Sequence, residues 1–382
     1  MLHLGLDSEF MYKTTAILFV CVSFFIIINM IINKDNSSHK NLKKISFIIC
    51  LILLYYTLSY TLIDGVRNLT MLYVVVFSPL CIYCTKISIK NHVRALLIIY
   101  VSTVVGVYYI FYIGLIDVSK LDEIQTILRP GEDRIEKYEM TYRNGGYLGS
   151  CHDAANILSI IGIFLIANII SKESVYKLMS FCCLMIGSPA LLLTTSATNI
   201  SIFLFTALIM MLFFCRTLIR ISAFSVFIIV LFYFLHDFWN ERLFIFINKI
   251  KYHSETANGG MFNALNENSI SSSLFSFLFG FADTLELPII NTELGILKFL
   301  IQFGLIPFLF LMYFLLLPLF ISLKSGLNAH SFYYSFPLLA SVISLFHYAS
   351  LFRITSIGVF ILLYSIFLVK YSNLDRLRYN FQ

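Results

Sequence analysis

The sequence contains little charge: Asp, Glu, Lys and Arg together make up 13% of its 382 residues, whereas hydrophobic residues make up 59%. The mean hydropathy is +0.85. Too few polar side chains remain to cover the surface of a water-soluble globule of this size, so that class of protein is excluded. The composition is typical of a polytopic membrane protein.

Motifs that mark several kinds of enzyme are missing as well. The sequence contains no D-x-D, H-E-x-x-H or G-x-S-x-G motif and no phosphate-binding glycine loop, so we expect no metal site and no cofactor. Of the eight cysteines, only Cys151 falls in a predicted outer loop, so no structural disulfide is expected. Internal repeats and Gly-Pro-interrupted pairs of spans, which are typical of secondary transporters, are also absent.

Long apolar segments recur along the whole chain. A helix needs about 20 mostly apolar residues to cross a hydrocarbon layer of roughly 30 Å, because lipid offers no partner for a free backbone N–H or C=O. Segments of this kind lie near residues 14–33, 45–63, 70–86, 95–116, 154–171, 178–195, 198–215, 221–236, 293–323, 332–349 and 354–369. We therefore predict an all-α polytopic membrane protein, with about eleven transmembrane helices in a single integral membrane domain over 1–382.

The positions of Lys and Arg predict the orientation, since positive residues close to spans are retained on the cytoplasmic side. They concentrate in alternate connectors, from Lys34, Lys40, Lys43 and Lys44 after the first span to Lys370, Arg376 and Arg378 after the last. The amino terminus is therefore predicted outside and the carboxyl terminus in the cytoplasm. This asymmetry and anionic lipid headgroups account for the net charge of +6, so we expect no nucleic-acid partner.

Two predicted outer connectors are long and polar, 117–153 and 237–291. Long loops cross the membrane largely regardless of charge, so their Lys and Arg residues do not disturb the predicted orientation. The second loop interleaves apolar side chains with Arg242, Lys249 and Lys251, which is typical of an amphipathic helix on a membrane surface. We expect the chemistry of the protein in these two loops.

The end of the first loop is suited to binding phosphate. Arg143 precedes a glycine-rich stretch, and Ser150 with Asp153 forms a capping box at the start of the next span. A helix start favours an anion, and the planar fork of Arg binds phosphate oxygens bidentately. Arg143 is thus a candidate for holding a phosphate or diphosphate, or else an ordinary loop arginine. Asp153 is interpreted as a capping residue in preference to a catalytic one.

Two side chains are candidate bases, and three more are candidates for binding the substrate. His152 adjoins the same helix start, and an unperturbed imidazole has a pKa near 6.5, which suits proton transfer at neutrality. Glu293 opens a later span, where the helix dipole alone also favours a carboxylate. Lys298 in that span either snorkels or faces a wet cavity. His347 and Arg353 flank the last outer connector, either as interfacial anchors or as part of a basic rim.

The layout and motifs resemble the bacterial O-antigen and capsular polysaccharide polymerases of the Wzy type, to which the O-antigen ligases are related. Besides the two long outer loops, the resemblance rests on Arg143-x-x-Gly146 before a span that opens at His152-Asp153-Ala-Ala, and on Leu278-Phe-Gly-Phe281 before Asn291-Thr-Glu-Leu-Gly-Ile-Leu-Lys298. Arg134 and Gly145 also fit the pattern of Arg, ten residues and Gly described for these polymerases.

The chain departs from the family pattern at two places. His152-Asp153 stands where relatives often have Pro-Asn, and no Arg lies in the region around Gly259 where many relatives carry one. The cationic role of the second loop then passes to its other basic residues or to a later span, with the candidates Arg242, Lys249, Lys251 and Lys298.

The resemblance implies a metal-independent glycosyltransferase in the bacterial inner membrane, with a periplasmic amino terminus. It would transfer a glycan linked to a polyprenyl diphosphate, such as undecaprenyl diphosphate, onto a lipid-linked repeat unit at the outer face, to make lipopolysaccharide O-antigen or capsule. His152 and Glu293 would be candidate bases, and Arg143 would stabilise the leaving diphosphate. Substrate-binding candidates are Arg134, Arg242, Lys249, Lys251, Lys298, His347 and Arg353.

The expected partners are the lipid-linked oligosaccharide substrate, membrane lipids, and a chain-length regulator and a flippase. Two alternatives stay open at this point. An O-antigen ligase would use the same donor chemistry. A lipid-linked oligosaccharide flippase or permease belongs to a different class and should show polar residues deep in several spans.

Overall fold

A computed structural model describes residues 88–116, 144–148, 150–171, 175–214, 278, 304–325, 330–345 and 354–379. The helices in these ranges are all α-helices except for one 3-10 turn, Gly146–Leu148, and these ranges contain no strand. The α-helices are Ile89–Ile116 (α1), Cys151–Ile170 (α2), Lys177–Leu193 (α3), Ala197–Phe214 (α4), Leu305–Ser325 (α5), His330–Ser344 (α6) and Ile354–Tyr379 (α7). The described part of the chain is therefore all-helical, as the sequence predicts.

Two of the described helices are long and apolar enough to cross a membrane, Ile89–Gly114 and Cys151–Ile170. The shorter apolar stretches in the described ranges are Lys177–Leu193, Thr198–Met210, Phe308–Leu323 and Ser356–Lys370. The predicted spans 14–33, 45–63, 70–86 and 221–236 lie outside the described residues. The number of eleven spans therefore stays a prediction.

Several helix ends differ from the predicted span ends. α7 continues to Tyr379, ten residues beyond the predicted end at 369, and α1 begins at Ile89 instead of 95. α2 begins at Cys151, within the range predicted as outer loop. The reason is that hydropathy marks only the apolar part of a helix, whereas intrahelical hydrogen bonds continue through polar residues.

Contacts between Cα atoms divide the described helices into two compact units. One contains α1 from Lys90 onward, the 3-10 turn, α2, α3, α4 and α6; the other contains α5 and α7. In the latter unit the rings of Phe314 and Tyr364 stack with centroids 4.8 Å apart. The Tyr364 hydroxyl also donates to the Phe314 carbonyl at 3.1 Å, so one buried tyrosine joins α5 to α7. The single domain over 1–382 stays a prediction.

α2 is the central helix of its unit and packs against α3, α4, α6 and the 3-10 turn. Gly162 allows the close approach of α4, because a Cβ there would lie 2.9 Å from the Phe203 ring. At its start, α2 meets the start of α4, since His152 lies beside Ser196. The two contacts are ten residues apart along α2 and seven residues apart along α4, in the same order, so α2 and α4 run in the same direction.

α1 packs against α3 through tyrosines. The Tyr108 hydroxyl donates to the Ile186 carbonyl at 2.9 Å, and Gly187 leaves room for the hydroxyl of the buried Tyr100. Arg94 donates to the Tyr176 hydroxyl at 2.9 Å, just before α3 begins. The start of α1 and the connector between α2 and α3 therefore lie at the same end of this unit.

Candidate functional site

The start of α2 is capped by a side chain. Ser150 has extended backbone angles, φ −103° and ψ 121°, and its Oγ accepts a hydrogen bond from the Asp153 N–H at 3.4 Å. The Ala154 N–H donates to the Ser150 carbonyl at 3.1 Å, which closes the first helical turn. Ser150 and Asp153 are both buried. The capping role predicted for this pair is confirmed on the serine side of the motif.

The end of the predicted first outer loop is docked on α1 by an asparagine. Asn144 donates from Nδ2 to the Val107 carbonyl at 2.6 Å, and its Oδ1 accepts from the Gly146 N–H at 2.8 Å. Asn144 is 2% exposed, so both bonds are shielded from water. One amide thus fixes residues 144–148 against the side of α1. Arg143 directly precedes this anchor in sequence and lies outside the described residues.

Gly146 is required for this docking by its conformation and by its surroundings. Its φ of +56° lies in the left-handed region, which side chains disfavour. A Cβ there would lie 2.8 Å from the Val107 nitrogen and 2.9 Å from the Gly106 carbonyl carbon, both backbone atoms that cannot swing away. The group that closely approaches the Gly146 main chain is therefore the backbone of α1.

The connector between α3 and α4 is a tight polar turn. Thr194 donates its hydroxyl to the Leu191 carbonyl at 2.6 Å, and the Thr195 N–H donates to the Leu192 carbonyl at 3.1 Å. Thr195 has a φ of +56°, which is unusual and strained for a β-branched residue. Ser196 follows, and its carbonyl accepts from the Ile200 N–H at 3.0 Å in the first turn of α4. The strained turn therefore sets the position of Ser196 at the start of α4.

Three side chains from the starts of α2 and α4 form a connected group, which we call the His152 cluster: His152, Ser196 and Asn199. The Nδ1 atom of His152 lies 3.3 Å from the Ser196 Oγ. The Asn199 Nδ2 atom lies 3.1 Å from the same oxygen. Ser196 and Asn199 are 1% and 5% exposed, whereas His152 is partly exposed. The imidazole is thus the accessible member of a group whose other members are buried.

The charge distribution around the His152 cluster follows from the two helix starts. α2 and α4 run in the same direction and begin side by side, so the partial positive charges at their N-terminal ends, about half a unit each, add at this point. Such an environment favours an anion. Asp153, which is buried in the first turn of α2, partly offsets this positive potential. Chemically, the cluster combines a candidate base with a region suited to negative charge.

Comparison with known proteins does not assign this arrangement to a family. No family model, curated protein or solved structure matches the chain. The interpretation of the His152 cluster therefore rests on its own residues and geometry.

Of the predicted site residues, His152 is described and lies in the cluster. The others lie outside the described residues: Arg134, Arg143, Arg242, Lys249, Lys251, Glu293, Lys298, His347 and Arg353. Their roles and their distances from His152 stay predictions. In the described ranges no three His, Cys, Asp or Glu side chains are grouped as metal ligands would be, and the expectation of a metal-free site likewise stays a prediction.

The sequence reasoning missed Asn144, Ser196 and Asn199. A usable signal existed for the last two, because the polar run Thr194-Thr195-Ser196 separates two apolar segments and an Asn follows three residues after the serine. This pattern indicates a capped helix start. That the start lies beside His152 depends on the packing of α2 against α4, which the local sequence does not reveal.

Proposed function

We propose that this chain is a polytopic protein of the bacterial inner membrane that polymerises lipid-linked glycan repeat units at the outer face. The membrane part of the proposal is supported by large apolar side chains that face outward from three helices. Ile98 on α1 is 63% exposed, Leu178 on α3 is 77% exposed and Phe205 on α4 is 64% exposed. Water would disfavour such a surface, whereas lipid would not.

The observation that carries the catalytic part is the position of His152 at two adjacent helix starts. Transfer of a glycan from a polyprenyl diphosphate needs a base for the incoming hydroxyl and stabilisation of the negative charge on the departing diphosphate. The His152 cluster offers an imidazole in a region of positive helix potential. Arg143, the predicted cation, directly precedes the anchored Asn144 in sequence.

The proposed reaction is a single displacement at the anomeric carbon of the donor glycan. The hydroxyl of the acceptor sugar forms the new bond to this carbon, and its proton passes to His152. The bond between the anomeric carbon and the diphosphate oxygen breaks, and the electron pair leaves with polyprenyl diphosphate. Helix potential and Arg143 stabilise that leaving group, and Glu293 is the second candidate base.

The proposal is tested by reconstituting the purified full chain and supplying the host's lipid-linked repeat unit. We expect a ladder of products with increasing numbers of repeats. In His152→Gln the rate should fall roughly 100- to 10,000-fold, because the variant keeps a polar side chain and loses the base. The control is Ser102→Ala, since among the described residues the Ser102 hydroxyl bonds to carbonyls of its own helix, those of Ile98 and Ile99.

The products distinguish the alternatives. A single transfer to a lipid-core acceptor without a ladder would favour the ligase function, and transport of intact substrate without new bonds would favour the flippase. Wild-type activity in His152→Gln would remove His152 from the mechanism and leave Glu293 as the candidate base.

A further inference from the structure

Three exposed basic side chains lie where α1 and α3 begin, and we call them the basic end: Lys90, Arg94 and Lys177. Lys90 and Arg94 are four residues apart, so they lie on one face of α1. Lys177 is the first residue of α3 and directly follows Tyr176, whose hydroxyl accepts a hydrogen bond from Arg94. Neither α1 nor α3 contains an acidic residue. Three positive charges are therefore gathered here without a carboxylate from either helix.

Arg94 is exposed but held in place by Tyr176. Its Nη2 atom donates to the Tyr176 hydroxyl at 2.9 Å, and its guanidinium carbon lies 5.9 Å from the centre of the tyrosine ring. A guanidinium has five N–H donors in a rigid fork that matches phosphate oxygens. Among the described residues, the Tyr176 hydroxyl is the acceptor that Arg94 reaches. The remaining donors are therefore available to an anion, and their position is already fixed.

The face of α1 that carries the basic end continues as an apolar stripe of exposed side chains: Ile98, Val101 and Val105. In the most apolar part of α1 only 39% of the residues are buried, so this helix lies at the edge of its unit. From Arg94 to Val105 the helix rises about 16.5 Å, at 1.5 Å per residue. Half of a hydrocarbon layer of roughly 30 Å is nearly the same length. The stripe therefore matches one leaflet of a bilayer.

α3 has the same arrangement beside α1. After Lys177, the exposed side chains Phe181 and Met185 follow at intervals of four residues, on the same face of the helix. α1 and α3 run in the same direction, because hydrogen bonds join them near both starts and again at least ten residues later. Two neighbouring helices thus each have exposed positive charge at the same end and exposed apolar side chains beyond it.

We propose that the basic end and the apolar stripe bind an anionic phospholipid such as phosphatidylglycerol. Its phosphate bonds to Arg94, which is held by Tyr176, and its acyl chains lie along the stripe. This inference rests on the membrane part of the proposed function and does not depend on glycan transfer.

The charge and shape of this surface select an anionic lipid over other occupants. A second copy of the chain, placed with the same surface facing it, would bring like charges together. A soluble anion would satisfy the charge and leave the apolar stripe in water, which is unfavourable. A zwitterionic lipid would bring its own cation to the basic end. An anionic phospholipid satisfies both parts of the surface.

The proposal is tested by native mass spectrometry of the purified full chain in a neutral detergent. The protein is titrated with phosphatidylglycerol or with phosphatidylcholine of identical acyl chains. We expect the first phosphatidylglycerol to bind roughly 10- to 100-fold more tightly, because each basic residue near a headgroup favours an anionic lipid. The preference should fall as the salt concentration rises. Equal affinity for the two lipids would overturn the proposal.

Single substitutions locate the site. Arg94→Gln and Lys177→Gln should each weaken binding of phosphatidylglycerol about fivefold and leave binding of phosphatidylcholine unchanged. Lys177→Gln keeps the test decisive if loss of the bond to Tyr176 unfolds the Arg94 variant. The matched control is Lys324→Gln in α5, which removes the same charge from the other compact unit. An equal loss in Lys324→Gln would show that net charge, and not the basic end, attracts the lipid.

A soluble form of the headgroup tests the role of the acyl chains. Glycerophosphoglycerol has the charge of phosphatidylglycerol and no acyl chains, so we expect it to bind at least 100-fold more weakly, since the buried chains contribute most of the apolar contact. Binding as tight as that of the intact lipid would assign the surface to a soluble anion and overturn the lipid site.

The results also separate this inference from the proposed function. If phosphatidylglycerol is preferred and no glycan products form, the polymerase proposal fails and the lipid site stands. If glycan products form and the two lipids bind equally, the polymerase proposal stands and the lipid site fails. Absence of binding by either phospholipid would contradict both the lipid site and the proposed membrane location.

Discussion

Asn168 lies near the end of α2, and Asn199 lies in the first turn of α4, beside the start of α2. Both side chains are buried, but their amides differ in their hydrogen bonds. Asn168 donates to the Val175 carbonyl at 2.7 Å and to the Ser180 hydroxyl at 2.9 Å, and its oxygen lies 3.5 Å from the Tyr334 hydroxyl. Asn199 makes one bond, to Ser196, and its oxygen in that orientation has no donor among the described residues.

The difference distinguishes the end of α2, where Asn168 has a structural role, from the start of α2, where the candidate functional site lies. The Asn168 amide uses both of its hydrogens and its oxygen to join α2, the connector that follows it, α3 and α6. All of its hydrogen-bonding groups are therefore bonded within the fold. Beside His152, the buried Asn199 oxygen receives no hydrogen bond from the described residues. Strained or incompletely bonded buried groups are expected where a protein needs a particular side-chain state for function.

The largest effect is expected from removing the Asn168 amide. Asn168→Leu keeps the approximate side-chain shape and deletes three hydrogen bonds, leaving the Val175 carbonyl and the Ser180 hydroxyl without this partner. We expect the free energy of unfolding to fall by roughly 3 kcal/mol, at about 1 kcal/mol per lost bond. Reversible unfolding of the detergent-solubilised protein, followed by circular dichroism, measures this loss.

The matched variant at the other end is Asn199→Leu. It deletes one hydrogen bond and also removes a poorly bonded buried oxygen, so we expect the free energy of unfolding to change by no more than about 1 kcal/mol. Equal losses for Asn168→Leu and Asn199→Leu would remove the distinction between the two ends.

A smaller effect is expected at Gly146, whose backbone packs directly against the backbone of α1. Gly146→Ala places a side chain in the left-handed region and against backbone atoms of α1, so we expect a loss of about 2 kcal/mol. Faster amide hydrogen exchange in residues 144–148, together with a lower unfolding temperature, is the measurement.

The control is Gly358→Ala in α7, where a Cβ would meet nothing within 4 Å. Because alanine is the better helix former, this variant should gain up to about 1 kcal/mol. A loss at Gly358 as large as that at Gly146 would show that the unfolding signal does not report local packing.

The smallest effect is expected from Tyr334→Phe. The bond from the Tyr334 hydroxyl to Asn168 is long, and the ring also packs against Phe164 with centroids 6.0 Å apart, a contact that phenylalanine keeps. We expect a loss of about 0.5 kcal/mol, measured by the same unfolding experiment. A loss above that of Asn168→Leu would mean that the tyrosine, and not the asparagine, organises this end.

The sequence predicted the helices well and the site only in part. Apolar runs and the Ser150 cap are local features, so the helices in the described ranges and the start of α2 could be read from neighbouring residues. The contact between His152 and Ser196 joins residues 44 positions apart. It depends on the parallel packing of α2 and α4, which Gly162 and the turn at Thr195 make possible, and no local pattern encodes it.

The burial of α2 also has a consequence for how the protein is made. In the most apolar part of α2, 89% of the residues are buried, and the described helices that cover it, α3, α4 and α6, all follow it in the chain. At a synthesis rate of 5–20 residues per second, α6 is completed about 10 to 35 s after α2. If α2 lies in a membrane, as proposed, its polar groups must be kept from lipid during this interval. The insertion machinery would have to retain the helix until its last neighbour emerges.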